Sequence, residues 1–251
     1  MHCLCAALGI TVAALTIGCG DDAGAGNGGR LTISAAASLS EAFAAYGEAR
    51  PGEQRFSFAG SDDLAAQIRQ GARPDVFAAA SLAYPDRLAA EGLVERPVVF
   101  ARNELVIAVP HGSAIDSLDD LTEPGLDLAI GAEAVPVGGY ARDLLRRLPA
   151  RERSAILANV RSDEPDVKGI VGKVAQGAAD AGLVYSSDVA AAADDLDAVA
   201  LPARLEPDIA YAVAVVSGTA NREAARAFIR GLLDGAGRQA LEAAAFRPAD
   251  R

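Results

Sequence analysis

A short apolar run meets the start of a helix at residues 58–64, which read Phe-Ala-Gly-Ser-Asp-Asp-Leu. Leu64 and Ile68 lie four residues apart and share one helical face, and Gly71 is typical of a helix end. Ser61 then takes the N-cap position, after a glycine that lets the backbone approach a ligand closely. A strand that leads into a serine-capped helix predicts an anion site, because the free N–H groups and the positive end of the helix dipole point outward.

The chain from Leu31 onward alternates short β-like runs with helical patterns, which predicts an α/β fold with largely parallel sheets. The predicted strands are Leu31–Ser34, Phe56–Phe58, Val76–Ala80, Glu104–Val109, Leu128–Ile130, Ala181–Tyr185, Val199–Leu201 and Ile209–Val216. The predicted helices begin near Ser38, Ser61, Ser81, Val137, Asp166, Ser186 and Thr219. We find no internal repeat and no second hydrophobic span after the leader.

The first nineteen residues are expected to form a lipoprotein-type signal peptide. Leu8–Ile17 is an apolar run that is too short to cross a bilayer, which takes about 20 residues. Gly18 and Cys19 follow, and this resembles a bacterial lipoprotein signal, in which the cysteine is lipidated and becomes the mature N-terminus. Thr16 stands where leucine is usual and the leader has no Lys or Arg, so an ordinary secretory signal is the alternative. Both interpretations predict export, and lipidation of Cys19 predicts anchoring on the periplasmic or outer face of the cell membrane.

The cysteine positions agree with an exported protein that is tethered at its N-terminus. Cys3, Cys5 and Cys19 are the only cysteines, so no disulfide can form in the body that follows. A thiol-free body of this length relies on a large hydrophobic core. Residues 20–29 are rich in glycine and lack apolar periodicity, which predicts a flexible tether.

The formal net charge of −11 argues against nucleic-acid binding. No basic stripe is present that could replace the counterions of a phosphate backbone. A small anionic ligand is still compatible with this charge, because distant surface charges are screened within ~10 Å at moderate salt.

The sequence offers little for catalysis, so we expect a protein that is not an enzyme and has no cofactor. His111 is the only histidine past the leader, and no Gly-x-Ser-x-Gly elbow accompanies it. One histidine and no cysteine in the body are too few for a zinc site, and we expect no bare metal cation. Dinucleotide and phosphate-loop motifs are also missing. A catalytic α/β domain remains the rival class, and turnover of any substrate would reveal it.

Other segments repeat the pattern of a strand, small residues and a helix start. Ser38 follows the strand at residues 31–34 as Ser61 follows its own strand. The strand at residues 181–185 ends on the hydroxyl of Tyr185. Residues 135–140 read Val-Pro-Val-Gly-Gly-Tyr and residues 164–167 read Glu-Pro-Asp-Val, each before a run with helical periodicity.

These segments resemble the periplasmic molybdate-binding proteins of ABC importers, and they occur in that family's order. Residues 36–39, 60–68 and 71–77 are similar to segments of the family's first lobe, and residues 135–140, 164–167 and 182–188 to segments of its second. The similarity runs from about Leu31 to Phe246.

The resemblance implies a two-lobed periplasmic binding-protein fold of type II with an oxyanion in the cleft between the lobes. We expect lobe 1 at residues 30–106 plus 212–251 and lobe 2 at residues 108–210. The hinge is expected near Ile107 and Tyr211. We also expect a monomer that hands its ligand to an importer permease and touches the membrane only through the N-terminal lipid.

The resemblance also implies a set of ligand groups. They are the hydroxyls and amides of Ser38 and Ser61, the backbone N–H groups of Val137 and Val167, and the hydroxyl of Tyr185. A tetrahedral dianion such as molybdate or tungstate has acceptors only, so a cage of neutral donors at helix N-termini suits it. Sulfate and phosphate have the same geometry, and the sequence does not rank the four anions.

Two positions depart from the family pattern. Val137 stands where alanine is usual, and it would narrow the cleft. Asp62 stands where a second serine is common, which makes it a candidate specificity residue. We expect Asp62 to be an acid of the first helical turn that points into water. If it faced the cleft instead, it would accept a hydrogen bond from a protonated oxyanion and favour monohydrogen phosphate or arsenate.

Overall fold

The computed structural model describes residues 30–249, which form two mixed sheets with helices packed on them. The signal peptide expected at residues 1–19, with Cys19, and the tether expected at residues 20–29 lie outside the described residues. None of the described helices is both long enough and apolar enough to span a bilayer.

The secondary-structure elements alternate along most of the chain. The strands are β1 (Leu31–Ala36), β2 (Gln54–Ala59), β3 (Val76–Ala79), β4 (Val98–Asn103), β5 (Leu105–Pro110), β6 (Leu128–Gly131), β7 (Val160–Glu164), β8 (Ala181–Tyr185), β9 (Leu196–Ala200), β10 (Ile209–Val215) and β11 (Arg247–Pro248). The α-helices are α1 (Ser40–Glu48), α2 (Ser61–Arg69), α3 (Ala83–Ala90), α4 (Pro136–Arg146), α5 (Ala150–Asn159), α6 (Val167–Ala175), α7 (Ser186–Ala191), α8 (Arg222–Asp234) and α9 (Ala236–Ala243). Short 3-10 turns occupy Ala37–Leu39, Asp119–Thr122 and Ala203–Leu205.

Each sheet belongs to one lobe of a two-lobed α/β fold. The first lobe has the strand order β11-β4-β10-β3-β1-β2 and carries α1 to α3, α8 and α9. The second lobe has the order β7-β6-β8-β5-β9 and carries α4 to α7. In the first lobe β1 runs parallel to β2 and β3, and in the second β6 runs parallel to β7 and β8. The carboxyl ends of parallel strands are where open α/β sheets place ligands.

The expectation of largely parallel sheets is wrong for part of each lobe. β10 runs antiparallel to β3 and β4, and β5 runs antiparallel to β8 and β9. β5 and β10 are the strands next to the points where the chain passes between the lobes. Each enters its sheet from the opposite lobe rather than through a helix within its own lobe, so it is free of the parallel order that a βαβ crossover imposes.

The passages between the two sheets lie outside the positions expected for the hinge. The chain leaves the first sheet at Asn103 and enters the second at Leu105, and it returns through residues 201–208. Ile107 lies inside β5, where it pairs with Leu183 and Val199. Tyr211 lies inside β10, paired with β4. The expected lobe boundaries divide β5 and β10 between the two lobes, whereas each of these strands lies entirely within one sheet.

Buried apolar side chains fill both lobes, as expected for a body without disulfides. β3, β6, β8 and β10 are buried along their whole length. In the first lobe, Phe43 of α1 packs against Phe100 and Phe228, with ring centroids 6.0 and 5.5 Å away. This packing ties α1 and α8 to the sheet and fixes the loop between β1 and α1, on which Ser38 lies.

Candidate functional site

A small cavity lies where the carboxyl ends of the parallel strands of the two lobes meet. The residues that line it are Ala36, Ala37, Ser38, Ala59, Gly60, Ser61, Ala80, Val135, Pro136, Val137, Asp166, Val167 and Tyr185. The five residues expected to bind a ligand, Ser38, Ser61, Val137, Val167 and Tyr185, are all in this set. The lining contains no lysine, arginine or histidine and one acid, Asp166, so an anion there would depend on neutral donors and helix ends.

Ser38 lies in the 3-10 turn between β1 and α1 and does not cap α1, whose N-cap residue is Leu39. Its buried hydroxyl oxygen is 2.9 Å from the hydroxyl oxygen of Tyr211. Burial raises the pKa of Tyr211 well above its ordinary value, so this phenol keeps its proton. When Tyr211 donates in this bond, the proton of Ser38 is available to an acceptor in the cavity.

Ser61 is the first residue of α2, and the expectation that its side chain caps this helix is wrong. The N-cap residue is Gly60, and no side chain caps the helix. The hydroxyl oxygen of Ser61 instead accepts a hydrogen bond of 3.1 Å from the backbone N–H of Ala80, at the end of β3. Because the oxygen is already used as an acceptor, its proton is directed elsewhere, and Ser61 lines the cavity.

Gly60 is required by the close approach of the two lobes. A Cβ atom at this position would lie 2.7 Å from the carbonyl oxygen of Pro165 in the second lobe and 2.6 Å from the Oδ1 atom of Asp62. Any larger residue would push the lobes apart at the edge of the cavity. The glycine noted in the sequence as allowing close backbone approach therefore meets the backbone of the other lobe.

The second lobe presents the N-termini of two helices. Val137 is the second residue of α4 and Val167 is the first residue of α6, so their N–H groups are among those without an intrahelical acceptor. The side chain of Asp166 caps α6 by accepting a hydrogen bond of 3.1 Å from the N–H of Gly169. The side chains of Val137 and Val167 are buried, so each residue packs in the core and also lines the cavity.

Tyr185 ends β8 and completes the second-lobe side of the cavity. Its side chain is buried, and its hydroxyl finds no hydrogen-bond partner within residues 30–249. The ring packs edge-on against Tyr211 of the first lobe, with 5.8 Å between the centroids. Burial, followed by the proximity of Tyr211, raises the pKa of Tyr185 well above its ordinary value, so the group is a neutral donor. A buried hydroxyl without a hydrogen-bond partner lowers stability by about 1–3 kcal/mol, and an acceptor in the cavity would remove this cost.

Asp62 does not line the cavity, and it does not point freely into water either. It is partly buried, and its Oδ1 atom lies next to Gly60 without a hydrogen-bond partner among the described residues. Burial raises the pKa of Asp62, and the neighbouring carboxylate of Asp63 adds to the shift. The side chain therefore sits beside the lobe contact, outside the space that a ligand would fill.

The sequence missed the two groups that orient the serine hydroxyls. The sequence predicts a hinge position for Tyr211 and gives no signal for the N–H of Ala80. Tyr211 is the only aromatic residue among the small apolar residues of β10, which read Ile-Ala-Tyr-Ala-Val-Ala-Val. A large polar-tipped side chain in such a strand was the available clue that this position has a polar partner.

Comparisons with known proteins agree with this arrangement. Residues 31–247 match the family model described as bacterial extracellular solute-binding protein. The molybdate-binding protein ModA of Mycobacterium tuberculosis is 38% identical over 224 residues, which cover 86% of this chain and 84% of that protein. The substrate-binding domain of a putative molybdenum ABC transporter from Clostridium difficile is 29% identical and superposes with a TM-score of 0.68, covering 88% of this chain and 99% of the other. The sulfate-binding protein SubI of M. tuberculosis shares the fold, with a TM-score of 0.77, 20% identity, and coverage of 88% and 87%.

Proposed function

Because this chain belongs to the family of bacterial extracellular solute-binding proteins, we propose that it captures molybdate outside the cytoplasm and delivers it to an ABC importer. The observation that carries the proposal is the cavity, where donors from both lobes converge without a cationic side chain. The 38% identity to a molybdate-binding protein over most of both chains supports molybdate as the anion. Tungstate has the same shape and charge, and we expect it to bind at the same site.

The donor set explains how an acidic protein can hold a dianion. Ser38 and Ser61 offer hydroxyl protons, and Tyr185 offers a buried hydroxyl without another acceptor. Val137 and Val167 offer backbone N–H groups at helix N-termini, where the helix dipole favours negative charge. Hydrogen bonds to charged groups contribute roughly 1.5–3 kcal/mol each, so five of them offset the desolvation of the anion.

The position of the donors also explains delivery. Two groups belong to the first lobe and three to the second, so an anion satisfies all of them only when the lobes are together. A ligand with higher affinity for the closed form shifts the population toward it. We propose that an importer permease recognises this closed shape, that the protein acts as a monomer without enzymatic activity, and that lipid on Cys19 keeps it at the membrane.

Thermal unfolding with and without anions tests the proposal. A ligand that binds only the folded state stabilises it by about 2.7 kcal/mol at a hundredfold excess over Kd. We expect molybdate and tungstate to raise the melting temperature of the mature chain, and chloride at equal ionic strength to serve as the control. The absence of any shift with millimolar molybdate would overturn molybdate as the ligand. A larger shift with sulfate or phosphate would retain the donor cage but assign it another oxyanion.

A further inference from the structure

An ion pair connects the two lobes beside the cavity. The ammonium group of Lys168 in α6 lies 3.0 Å from both carboxylate oxygens of Glu41 in α1. Burial of Glu41 opposes its ionisation, but hydrogen bonds from Lys168 and Ser40 outweigh this effect and lower the pKa of the carboxyl. The pair is therefore charged at neutral pH and spans from the second lobe to the first.

Lys168 is placed next to the groups that face the ligand. It directly follows Val167, which lines the cavity, and Glu41 lies three residues after Ser38. Neither Lys168 nor Glu41 lines the cavity itself. A displacement of the lobes that separates this pair would also separate Ser38 from Val167, because the turn of Ser38 leads directly into α1, and Val167 and Lys168 are neighbours in α6.

A second acid, Asp188, contacts the ammonium group of Lys168 from within the second lobe. The Oδ1 atom of Asp188 in α7 lies 3.4 Å from the Nζ atom of Lys168, and the side chain of Asp188 is fully buried. The charge and hydrogen bonding of Lys168 are the main effects that oppose the burial of this carboxyl. Asp188 and Lys168 belong to the same lobe, and their contact does not depend on closure. Asp188 thus holds the lysine in place, while Glu41 meets it only when the lobes are together.

Resting on the proposed function, we propose that Lys168 is a positioning residue that couples closure of the lobes to anion capture through its ion pair with Glu41. An exposed pair adds little to the stability of a single rigid unit. A contact present only in the closed form shifts the balance between open and closed forms, and the apparent affinity changes by the same factor. From the usual strength of such pairs we expect a change of about two- to fivefold in Kd.

The effect on binding of removing the charge of Glu41 distinguishes this mechanism from direct attraction between Lys168 and the anion. If Lys168 acted on the anion through space, removal of the negative charge of Glu41 would tighten binding. If the pair acts through closure, Glu41→Gln weakens binding as Lys168→Met does. The double variant should then show no more loss than either single variant, and Lys168→Arg should restore most of the affinity.

The same helix supplies a matched control. Lys173 of α6 forms an ion pair of 2.8 Å with Glu164, which lies in the same lobe. Lys173→Met removes an equal charge and a comparable contact without touching the lobe interface. We expect molybdate affinity by calorimetry to fall about two- to fivefold in Lys168→Met and Glu41→Gln and to stay unchanged in Lys173→Met.

Energy transfer between fluorophores on the two lobes measures closure independently of affinity. The chain has no cysteine after Cys19, so the exposed positions Gln67 and Ser154 can be replaced by cysteine and labelled in the mature chain in which Cys19 is serine. We expect Lys168→Met to need more molybdate for half-closure and to lower the closed fraction without ligand. Unchanged affinity and closure in Lys168→Met, or tighter binding in Glu41→Gln, would overturn the inference. If the parent chain bound no molybdate, the proposed function would fail, and the closed fraction without ligand would still decide whether Lys168 holds the lobes together.

Discussion

The first lobe places two serines at the cavity, whereas the second lobe places two helix N-termini and one tyrosine there. The serine oxygens are already held by other groups, Ser38 by Tyr211 and Ser61 by the N–H of Ala80. On the other side, the amides are fixed by the starts of α4 and α6, and the hydroxyl of Tyr185 has no partner among the described residues. In the first lobe the serine hydroxyls are oriented by hydrogen bonds, and in the second lobe the amides are oriented by the helix backbone.

This difference determines which changes remove a donor. A serine hydroxyl is lost by a single truncation, but a backbone N–H survives almost any substitution of its side chain. The second-lobe side can be disturbed only by moving the helix start or by removing the phenol. We expect the largest effect from a change that displaces the helix start.

Gly138→Ala should abolish measurable anion binding and lower thermal stability. A Cβ atom at Gly138 would lie 2.1 Å from the carbonyl oxygen of Ala132 and 2.2 Å from that of Gly131, so the first turn of α4 must move. The N–H of Val137 moves with it. Gly139→Ala is the control, because its Cβ atom would be 3.7 Å from the nearest atom, an ordinary contact. We expect Gly139→Ala to bind molybdate normally in calorimetry, and equal affinity of the two variants would contradict the role of the α4 start.

Ser61→Ala and Ser38→Ala should each weaken molybdate binding by about tenfold to a hundredfold, the effect of losing a hydrogen bond worth roughly 1.5–3 kcal/mol to a charged ligand. Both should also lower the melting temperature without ligand, because Ala80 or Tyr211 loses its partner inside the protein. Ser57→Ala on the exposed face of β2 is the control. Loss of affinity without loss of ligand-free stability would show that the two serines are not held in advance.

Tyr185→Phe should weaken binding by about tenfold and leave the ligand-free chain equally or more stable, because the hydroxyl that it removes has no partner among the described residues. Tyr46→Phe should do the opposite. The hydroxyl of Tyr46 donates a buried hydrogen bond of 2.9 Å to the carbonyl oxygen of Phe228, away from the cavity. Calorimetry and thermal unfolding of both variants separate the two effects. A marked loss of ligand-free stability in Tyr185→Phe would show that its hydroxyl is already used within the fold.

Local sequence patterns were sufficient to predict most of the elements that surround the site. Strands with continuous apolar runs, such as β8 and β10, and helices with a regular apolar face, such as α4 and α6, were found near their observed bounds. β7 was missed because it reads Val-Arg-Ser-Asp-Glu and lies at a sheet edge, where neither a continuous run nor a regular alternation is needed. α5 was missed for a related reason, since few of its side chains are buried and its apolar periodicity is weak.

The cavity residues could be identified from the sequence only through their resemblance to a family, because their proximity depends on contacts between distant parts of the chain. Ser38 and Tyr211 are 173 residues apart, and their hydrogen bond follows from the return of β10 into the first sheet. The helix signals predict that Ser61 caps α2, but its hydroxyl oxygen instead accepts a hydrogen bond from the N–H of Ala80, the residue after β3. The contact of Gly60 with Pro165 joins the two lobes, and no local pattern reports such a contact.

A buried acid behind Tyr185 gives the second lobe a pH dependence that the first-lobe side of the cavity does not share. Burial raises the pKa of Asp188 to about 7, although Lys168 opposes the shift. The negative charge of Glu41 also disfavours ionisation of this carboxyl, whereas a hydrogen bond to the backbone of Tyr185 favours it. Thus Asp188 keeps its proton in the folded chain at pH values where the unfolded chain, with a carboxyl pKa near 3.8, has lost it.

Asp188→Asn tests how the protonation of Asp188 affects stability. It should have the smallest effect on anion affinity, since Lys168 retains its pair with Glu41. Between about pH 4 and pH 7 the folded wild-type chain binds one more proton than the unfolded chain, so its free energy of unfolding falls as the pH rises and then levels off. The neutral asparagine removes this fall. We therefore expect the variant to melt several degrees higher than wild type at pH 8 and to differ least near pH 4, as 1 kcal/mol corresponds to about 2–4 °C for a chain of this size.

Thermal unfolding at a series of pH values measures both curves. Parallel curves would show that Asp188 is ionised throughout, and a variant that melts lower than wild type at pH 8 would show that its ion pair with Lys168 outweighs the cost of burying it.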